Sequence, residues 1–249
     1  MNKYQKHLLR FAATTLDEPK EYKECYVGFL DILGFKAMLE TQECSKIKSL
    51  YDEIRASIEL VLYTDLFAKV ASDTAIKNLS VKLISDSIVI SIPKNKQGAF
   101  HSLLILCLAL QDKLLRLKTP VLLRGGIGLG NFYSYNEMMF GPVLSEVVNL
   151  EETIKMPQII IRKQVFVDGI LELKGDNLAF VKAFTAEDGE FVFLDSIKMI
   201  VAFNNSSSEI RNNLKTHITT YAQCTDKGIR EKYVWLLERY DKIIKEFDI

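Results

Sequence analysis

The feature that most constrains the fold of this chain is a short apolar run that ends at a carboxylate. Residues 26–35 read YVGFLDILGF and lie between Glu24 and Lys36. An apolar run of this length, bounded by charge, is typical of a short strand that is buried on both faces. Asp31 then ends the strand, Gly34 forms part of the turn, and a helical pattern follows.

An acid between a buried strand and the start of a helix suits a metal ion that carries phosphates. Its carboxylate offers hard oxygen ligands, and the free N–H groups and dipole of the helix start attract an anion. The alternative is a strand that stops at an Asp capping the next helix. This stretch alone leaves both interpretations open.

A second acid separates two β-branched runs. Residues 81–92 read VKLISDSIVISI, and the small polar residues 85–87 predict a tight hairpin with Asp86 at its tip. If the hairpin lies beside the first strand, Asp31 and Asp86 can chelate one or two divalent cations. Two carboxylates from separate strands are the minimum for metal-assisted phosphoryl transfer.

Composition argues against several classes of function. The 249 residues are 48% hydrophobic, enough to bury the core of one domain with appendages, or at most of two domains. Lys plus Arg equal Asp plus Glu at 32 each, so bulk charge argues against a nucleic-acid partner.

The cysteines and histidines lack metal-site spacing, which favours reduced thiols in a cytosolic protein. The longest apolar run, near 103–110, is too short to span a bilayer, and the charged first residues adjoin no apolar signal segment. We therefore expect a cytoplasmic chain without a membrane partner.

The rest of the chain predicts further helices and strands. Apolar spacing predicts helices at 50–62 and 97–118, and apolar runs predict strands at 121–129, 159–161, 165–167, 178–181 and 191–194. Near the C-terminus, Ser206 and Glu209 form a capping-box pattern. The apolar stripe of a helix over 229–247 predicts core packing or, alternatively, a dimer contact.

Four stretches occur in an order found in one enzyme family. They are FLDILGF at 29–35, SDS at 85–87, RGGIGLG at 124–130 and FGP at 140–142. Together they resemble the catalytic domain of the class III nucleotidyl cyclases over roughly residues 25–200. Within that group they most resemble the bacterial pyrimidine cyclases of the Pycsar anti-phage systems.

The resemblance implies an α/β (α+β) fold with a ferredoxin-like palm, in which elements follow the order β-α-α-β-β-α-β-α-β. The extent of the resemblance and the residue patterns outside it predict three segments along the chain. These are an N-terminal helix and link at 1–24, the cyclase domain at 25–200 and a C-terminal helical extension at 201–249.

The activity implied by the resemblance is cyclisation of a pyrimidine nucleoside triphosphate, UTP favoured or CTP, with release of pyrophosphate. Asp31 and Asp86 hold two Mn²⁺ or Mg²⁺ ions in this family pattern, and the carbonyl of Ile32 adds a ligand. One ion lowers the pKa of the ribose 3′-hydroxyl and the other carries the triphosphate. The implied partners are a second copy of the chain, in a head-to-tail homodimer with shared active sites, and a downstream effector opened by the cyclic nucleotide.

The resemblance also implies a set of nucleotide contacts. The amides of residues 33–35 bind phosphate at the helix start, and Lys82 contacts the base from the partner subunit. The nucleotide-binding positions are Phe29, Leu33, Gly34, Phe35, Lys82, Met138, Ser145 and Asn149.

One departure from the family pattern concerns the phosphate-binding cation. Ser145 and Asn149 are four residues apart on the predicted helix after FGP, where the family carries an Asn and an Arg that steady the ribose and the transition-state phosphate. The helix Arg is therefore missing. Arg124 is either a solvated strand-edge charge or the catalytic cation that replaces it.

A second departure concerns the base. Purine cyclases recognise adenine with a Lys and an Asp; Lys82 keeps the first, and Met138 stands in place of the second. Met cannot accept a hydrogen bond from an exocyclic amine, so the pocket loses its discrimination for adenine. Plain hydrophobic packing is the alternative interpretation of Met138 and Met139.

Two other functions stay open. A purine cyclase would use the same chemistry on ATP or GTP. A non-catalytic cyclase-like regulatory protein would fit the missing helix Arg, but it would have no need of the paired carboxylates Asp31 and Asp86.

Overall fold

The computed structural model describes residues 19–62, 78–136, 138–202 and 208–247. Most of the expected N-terminal helix and link, and Ser206 of the capping-box pattern, lie outside the described residues.

Eight strands run through the described part of the chain. They are β1 (Lys23–Ile32), β2 (Ser80–Ile84), β3 (Ser87–Pro93), β4 (Leu123–Tyr135), β5 (Met138–Phe140), β6 (Ile159–Arg162), β7 (Thr185–Asp188) and β8 (Phe191–Leu194).

Nine helices accompany these strands within the same described ranges. They are α1 (Phe35–Thr41), α2 (Cys44–Leu62), α3 (Ala99–Leu115), α4 (Pro142–Thr153), α5 (Lys163–Ile170), α6 (Gly175–Ala183), α7 (Ser196–Ala202), α8 (Ser208–Ala222) and α9 (Lys227–Glu246).

The strands form one mixed sheet in the order β2-β3-β1-β4-β6-β8-β7, and β5 pairs with β4 outside this path. β1 is antiparallel to both β3 and β4, and β4 is parallel to β6. The first four strands of this order, with helices between β1 and β2 and between β3 and β4, form a ferredoxin-like palm. The fold class predicted from the sequence is confirmed.

Alternating residues of β1 face two different hydrophobic clusters. Tyr26, Leu30 and Ile32 belong to the main core, which contains most of the buried side chains of α3. Cys25 and Val27 face the opposite side, where α4 covers the sheet. Because side chains alternate along a strand, Asp31 lies on the α4 side.

Glycines in β4 allow α4 to lie close against the sheet. A Cβ atom added to Gly126 would stand 2.8 Å from both the carbonyl oxygen of Val147 and the Cβ of Leu150. A Cβ atom on Gly128 would stand 2.8 Å from Val147 Cγ1. The glycines of the RGGIGLG stretch therefore set the distance between helix and strand.

The C-terminal helices share a separate hydrophobic cluster. Buried side chains of α7, α8 and α9 pack with Leu115 and Leu122, and Leu33 packs against them from the loop after β1. Asp195, almost fully buried before α7, forms an ion pair with Arg239 of α9. Asp226 caps α9 by accepting a hydrogen bond from the amide of Ile229 at 2.8 Å.

Two predicted strands are helices in the structure. Residues 165–167 lie in α5 and residues 178–181 lie in α6. Short apolar runs do not distinguish a strand from one face of a short helix. In α5, Phe166 is buried and Val167 is 49% exposed, so only part of the run faces the core.

No helix in the described ranges is both long and apolar enough to cross a bilayer.

Candidate functional site

Asp31 and Asp86 meet at one end of the sheet. Asp31 is the pairing partner of Ser87 in the β1–β3 ladder, and the amide of Ile32 donates a hydrogen bond to the carbonyl of Asp86 at 2.9 Å. Ser85 adopts φ 53°, in the left-handed region, which closes the two-residue turn of the hairpin. The structure therefore brings the two predicted carboxylates together.

Tyr51 of α2 contacts the hairpin tip, and sequence reasoning missed this residue. Its hydroxyl donates a hydrogen bond to the carbonyl of Ser85, and its ring packs edge-on against Phe35 at 6.0 Å between centroids. The hairpin tip is thereby tied to the start of α1.

Burial strongly affects the ionisation of Asp31, whose side chain is 15% exposed. Burial raises the pKa of Asp31, whereas the hydrogen bond and charge of Arg124 lower it. The charge of Asp86 and a hydrogen bond to its side chain raise that pKa further. A positive charge placed between the two carboxylates would lower the pKa of Asp31 and so oppose the effects of burial and of Asp86.

Arg124 is shared between two carboxylates, and its side chain is 26% exposed. It is paired with Asp31 in the β1–β4 ladder, and its Nε–H donates to Asp31 Oδ2 at 3.2 Å. Its guanidinium also forms an ion pair with Glu151. Arg124 thus bridges the end of β1 and the last turn of α4.

Glu151 is a member of this cluster that sequence reasoning missed. Its side chain is 8% exposed. Burial raises the pKa of the Glu151 carboxyl, Arg124 lowers it, and the charges of Asp31, Glu152 and Asp86 raise it. The spacing of buried positions along α4 is the signal that could have identified Glu151 from the sequence. Val143, Val147, Leu150 and Glu151 follow the steps of one buried helix face.

The donor set fits a divalent cation. Three carboxylates (Asp31, Asp86 and Glu151) around one guanidinium leave two negative charges when all four groups are ionised. Asp31 and Asp86 provide the hard oxygen ligands that Mg²⁺ and Mn²⁺ accept, and the expected ligand carbonyl of Ile32 directly follows Asp31. Within the described residues, no three His, Cys, Asp or Glu side chains are arranged to hold one ion. The fit therefore rests on the aspartate pair.

One of the three amides in the predicted phosphate-binding loop already has a hydrogen-bond partner. The amide of Leu33 donates to the carbonyl of Leu122 at 2.9 Å, so this amide already has a partner in the sheet, and its phosphate contact stays a prediction. Gly34 takes φ 82° before α1, a left-handed conformation that favours glycine. Phe35 is buried and Phe29 packs against the cluster beneath α4.

The two residues predicted to contact the base lie around one turn. The Lys82 ammonium on β2 donates to the carbonyl of Asn136, in the turn that precedes β5. Met138 opens β5 and is 49% exposed, whereas Met139 packs against the cluster beneath α4. The packing interpretation therefore suits Met139 and not Met138.

Ser145 and Asn149 lie on the exposed side of α4, opposite Glu151. They line a groove of about 870 Å³ between α4, β6 and the β7–β8 turn. Arg162 also lines the groove and donates from Nε to Glu146 at 3.2 Å. A single chain thus presents the carboxylate pair and these α4 positions as separate groups.

Solved structures share this fold. The catalytic core of a rhodopsin-guanylyl cyclase with converted specificity, in complex with ATPαS, matches with a TM-score of 0.50 at 15% identity, over 71% of this chain and 97% of that chain. The guanylate cyclase domain of RhGC from Catenaria anguillulae, in complex with GTP, matches with a TM-score of 0.50 at 13% identity, over 71% of this chain and 99% of that chain. No protein-family model and no curated protein sequence matches the chain. At these identities the likeness establishes the fold of a cyclase catalytic core.

Proposed function

We propose that this chain, which has the fold of a guanylyl cyclase catalytic core, cyclises a nucleoside triphosphate and releases pyrophosphate. The observation that carries the proposal is that Asp31 and Asp86 lie next to each other at one end of the sheet, where Asp31 pairs with Ser87 and the Ile32 amide donates to the Asp86 carbonyl. In this reaction the ribose 3′-oxygen forms a bond to the α-phosphorus, the bond from that phosphorus to the leaving pyrophosphate breaks, and the hydroxyl proton passes to solvent.

Each residue of the cluster has a defined part in this proposal. Asp31 and Asp86 hold two divalent cations, Mn²⁺ or Mg²⁺, through their carboxylate oxygens. When bound, the cations lower the pKa of the 3′-hydroxyl and neutralise the triphosphate. Arg124 balances the buried negative charge, and the backbone around Gly34 and Phe35 faces the phosphates at the start of α1.

The favoured substrate is a pyrimidine nucleotide, UTP or CTP. The half-exposed Met138 offers no hydrogen-bond acceptor where an adenine-reading pocket needs one, and it lies beside the turn that Lys82 contacts. Lys82 would exchange the Asn136 carbonyl for a base carbonyl.

Activity in this proposal requires a homodimer. Asp31 and Asp86 of one subunit would face Lys82, Ser145 and Asn149 of the other, which is consistent with the position of Ser145 and Asn149 on the exposed side of α4, opposite Glu151. A second-messenger role in cytoplasmic anti-phage defence, acting through an effector that binds the cyclic nucleotide, completes the proposal.

A purine cyclase is the second candidate. Two structures with this fold were solved with ATPαS and with GTP, so the fold accommodates purine nucleotides. The chemistry at the carboxylate pair would be the same, and the difference would lie at Met138.

One experiment separates these functions. The full chain is incubated with Mn²⁺ and equimolar ATP, GTP, CTP and UTP, and the products are identified by mass. Asp86→Ala serves as the site variant and Asp52→Ala, an exposed aspartate on α2, as the matched control. A single cyclic pyrimidine that Asp86→Ala abolishes supports the proposal. Cyclic AMP or cyclic GMP would identify a purine cyclase, and no cyclic product with Mn²⁺, or with Mg²⁺ in a parallel incubation, would favour a regulatory protein.

A further inference from the structure

We propose that Glu151 is a positioning residue that holds Arg124 and thereby leaves Asp31 available to a divalent cation. This inference deepens the proposed function and rests on its cation site at Asp31 and Asp86. Glu151 lies outside the four stretches that resemble the cyclases, and it contacts the site through Arg124.

The geometry places Arg124 between two competing carboxylates. The same nitrogen, Nε, faces Asp31 Oδ2 at 3.2 Å and Glu151 Oε1. Both carboxylates are largely buried, with side chains 15% and 8% exposed, so water screens neither interaction well. Arg124 therefore divides its charge between the end of β1 and the end of α4.

Packing fixes Glu151 at this place. Leu150, the preceding residue, lies against Gly126, whose added Cβ would stand 2.8 Å from the Leu150 Cβ. Gly126 is two residues beyond Arg124 on the same strand. The close packing of α4 against this strand therefore places Glu151 beside the Arg124 guanidinium. Substituting Glu151 consequently removes a buried partner of Arg124.

The contact between Arg124 and Glu151 matters because Arg124 and a divalent cation compete for Asp31. A cation that binds Asp31 must take over an oxygen that the Arg124 guanidinium also contacts. With Glu151 present, Arg124 keeps a buried partner when Asp31 turns to the cation, and no unpaired buried charge is created. Without Glu151, Arg124 pairs with Asp31 alone and competes fully with the cation.

Glu151 acts through Arg124 and is not itself a ligand. The described residues contain no trio of His, Cys, Asp or Glu side chains arranged around one ion. Partners that orient a metal ligand commonly change metal affinity by a factor of about 10 to 100 when they are removed.

The test is binding of Mn²⁺ to the full, nucleotide-free chain, followed by the electron paramagnetic resonance signal of free Mn²⁺. We expect Glu151→Gln to raise the Kd for Mn²⁺ by about tenfold. Glu152→Gln removes the same charge from the next, exposed position of α4 and should leave the Kd within about twofold, because exposed charges are screened. Circular dichroism spectra establish that each variant is folded.

A double variant covers the case in which Glu151→Gln does not fold. Arg124→Gln with Glu151→Gln removes both members of the ion pair, which is better tolerated than stranding one. Because Arg124 no longer competes for Asp31, this double variant should bind Mn²⁺ within about threefold of the parent chain.

The outcomes separate the inference from the proposed function. If Asp86→Ala abolishes Mn²⁺ binding and Glu151→Gln binds like the parent, the inference is wrong and the cation site stands. Equal weakening by Glu151→Gln and Glu152→Gln would also overturn it, since general charge would then explain the effect. A parent chain that does not bind Mn²⁺, or an Asp86→Ala variant that binds like the parent, overturns the cation site and the inference together.

Discussion

Asp31 and Arg124 are direct partners in the antiparallel pairing of β1 with β4, and their side chains form a hydrogen-bonded ion pair at 3.2 Å. Strand register therefore decides which cation neutralises the first carboxylate of the proposed site. A shift of one residue would turn Arg124 to the other face of the sheet, into the main hydrophobic core.

The carboxylate at the hairpin tip should be essential for activity and dispensable for folding. We expect Asp86→Asn to lower cyclic nucleotide formation on the order of 100-fold or more, because a lost cation site removes several kcal/mol of transition-state stabilisation. The backbone bond from Ile32 to Asp86 does not depend on the side chain, so the unfolding midpoint should stay near that of the parent. Normal turnover by a folded Asp86→Asn variant contradicts the assignment.

The metal-free chain should lose stability as pH rises above the pKa of an unfolded Asp, about 4. Burial raises the pKa of Asp31, so the folded state binds its proton more tightly than the unfolded state does. Stability from this group is present below the unfolded pKa, about 4, and is lost as pH rises through the raised folded value. Urea unfolding at several pH values should show a flatter profile for Asp31→Asn than for the parent.

An exposed carboxyl supplies the control for this pH dependence. Asp168→Asn on α5 changes a solvent-exposed group and should keep the parent profile. If Asp31→Asn also keeps it, burial of Asp31 has no effect on stability.

Gly126 should tolerate no side chain. Gly126→Ala would place a methyl group 2.8 Å from the backbone oxygen of Val147, and we expect a loss of about 1–3 kcal/mol in the free energy of unfolding from overpacking. Gly28→Ala is the matched control in β1, because its added Cβ would meet atoms no closer than 3.6 Å. Equal stability of both variants, measured by chemical denaturation, would show that α4 adjusts freely.

Met138 should govern the choice of base. Met138→Asp supplies the missing hydrogen-bond acceptor beside Lys82, and we expect the ratio of cyclic AMP to cyclic pyrimidine to rise about tenfold in a mixture of the four nucleotides. Met138→Leu keeps an apolar side chain and should leave the ratio unchanged. An unchanged ratio in Met138→Asp would mean that the base is read elsewhere.

The sequence predicts those parts of the site that local pattern determines. β1, the β2–β3 hairpin and α4 each carry a local signal: a charge-bounded apolar run, small polar residues between β-branched runs, and a Pro at the first helical turn. The position of Asp31 beside Asp86 follows from these signals if the two strands are neighbours, as β1 and β3 are.

The missed parts depend on long-range packing. Glu151 reads as one member of an acidic pair at a helix end, and only the contact of α4 with β4 distinguishes its buried side chain from that of exposed Glu152. The role of the Leu33 amide depends on Leu122, which lies far along the chain. In α5 and α6, short apolar runs gave no period long enough to identify a helix.

The packing of Leu33 against α7, α8 and α9 has a consequence for where this protein can be divided. The boundary near residue 200, drawn from the extent of the resemblance, runs through a hydrophobic cluster that reaches the loop directly after Asp31. A fragment ending there would retain every carboxylate of the site and still expose Leu115, Leu122 and Leu33 to water. A graft of the palm onto another protein would therefore have to carry the C-terminal helices along with the loop that they support.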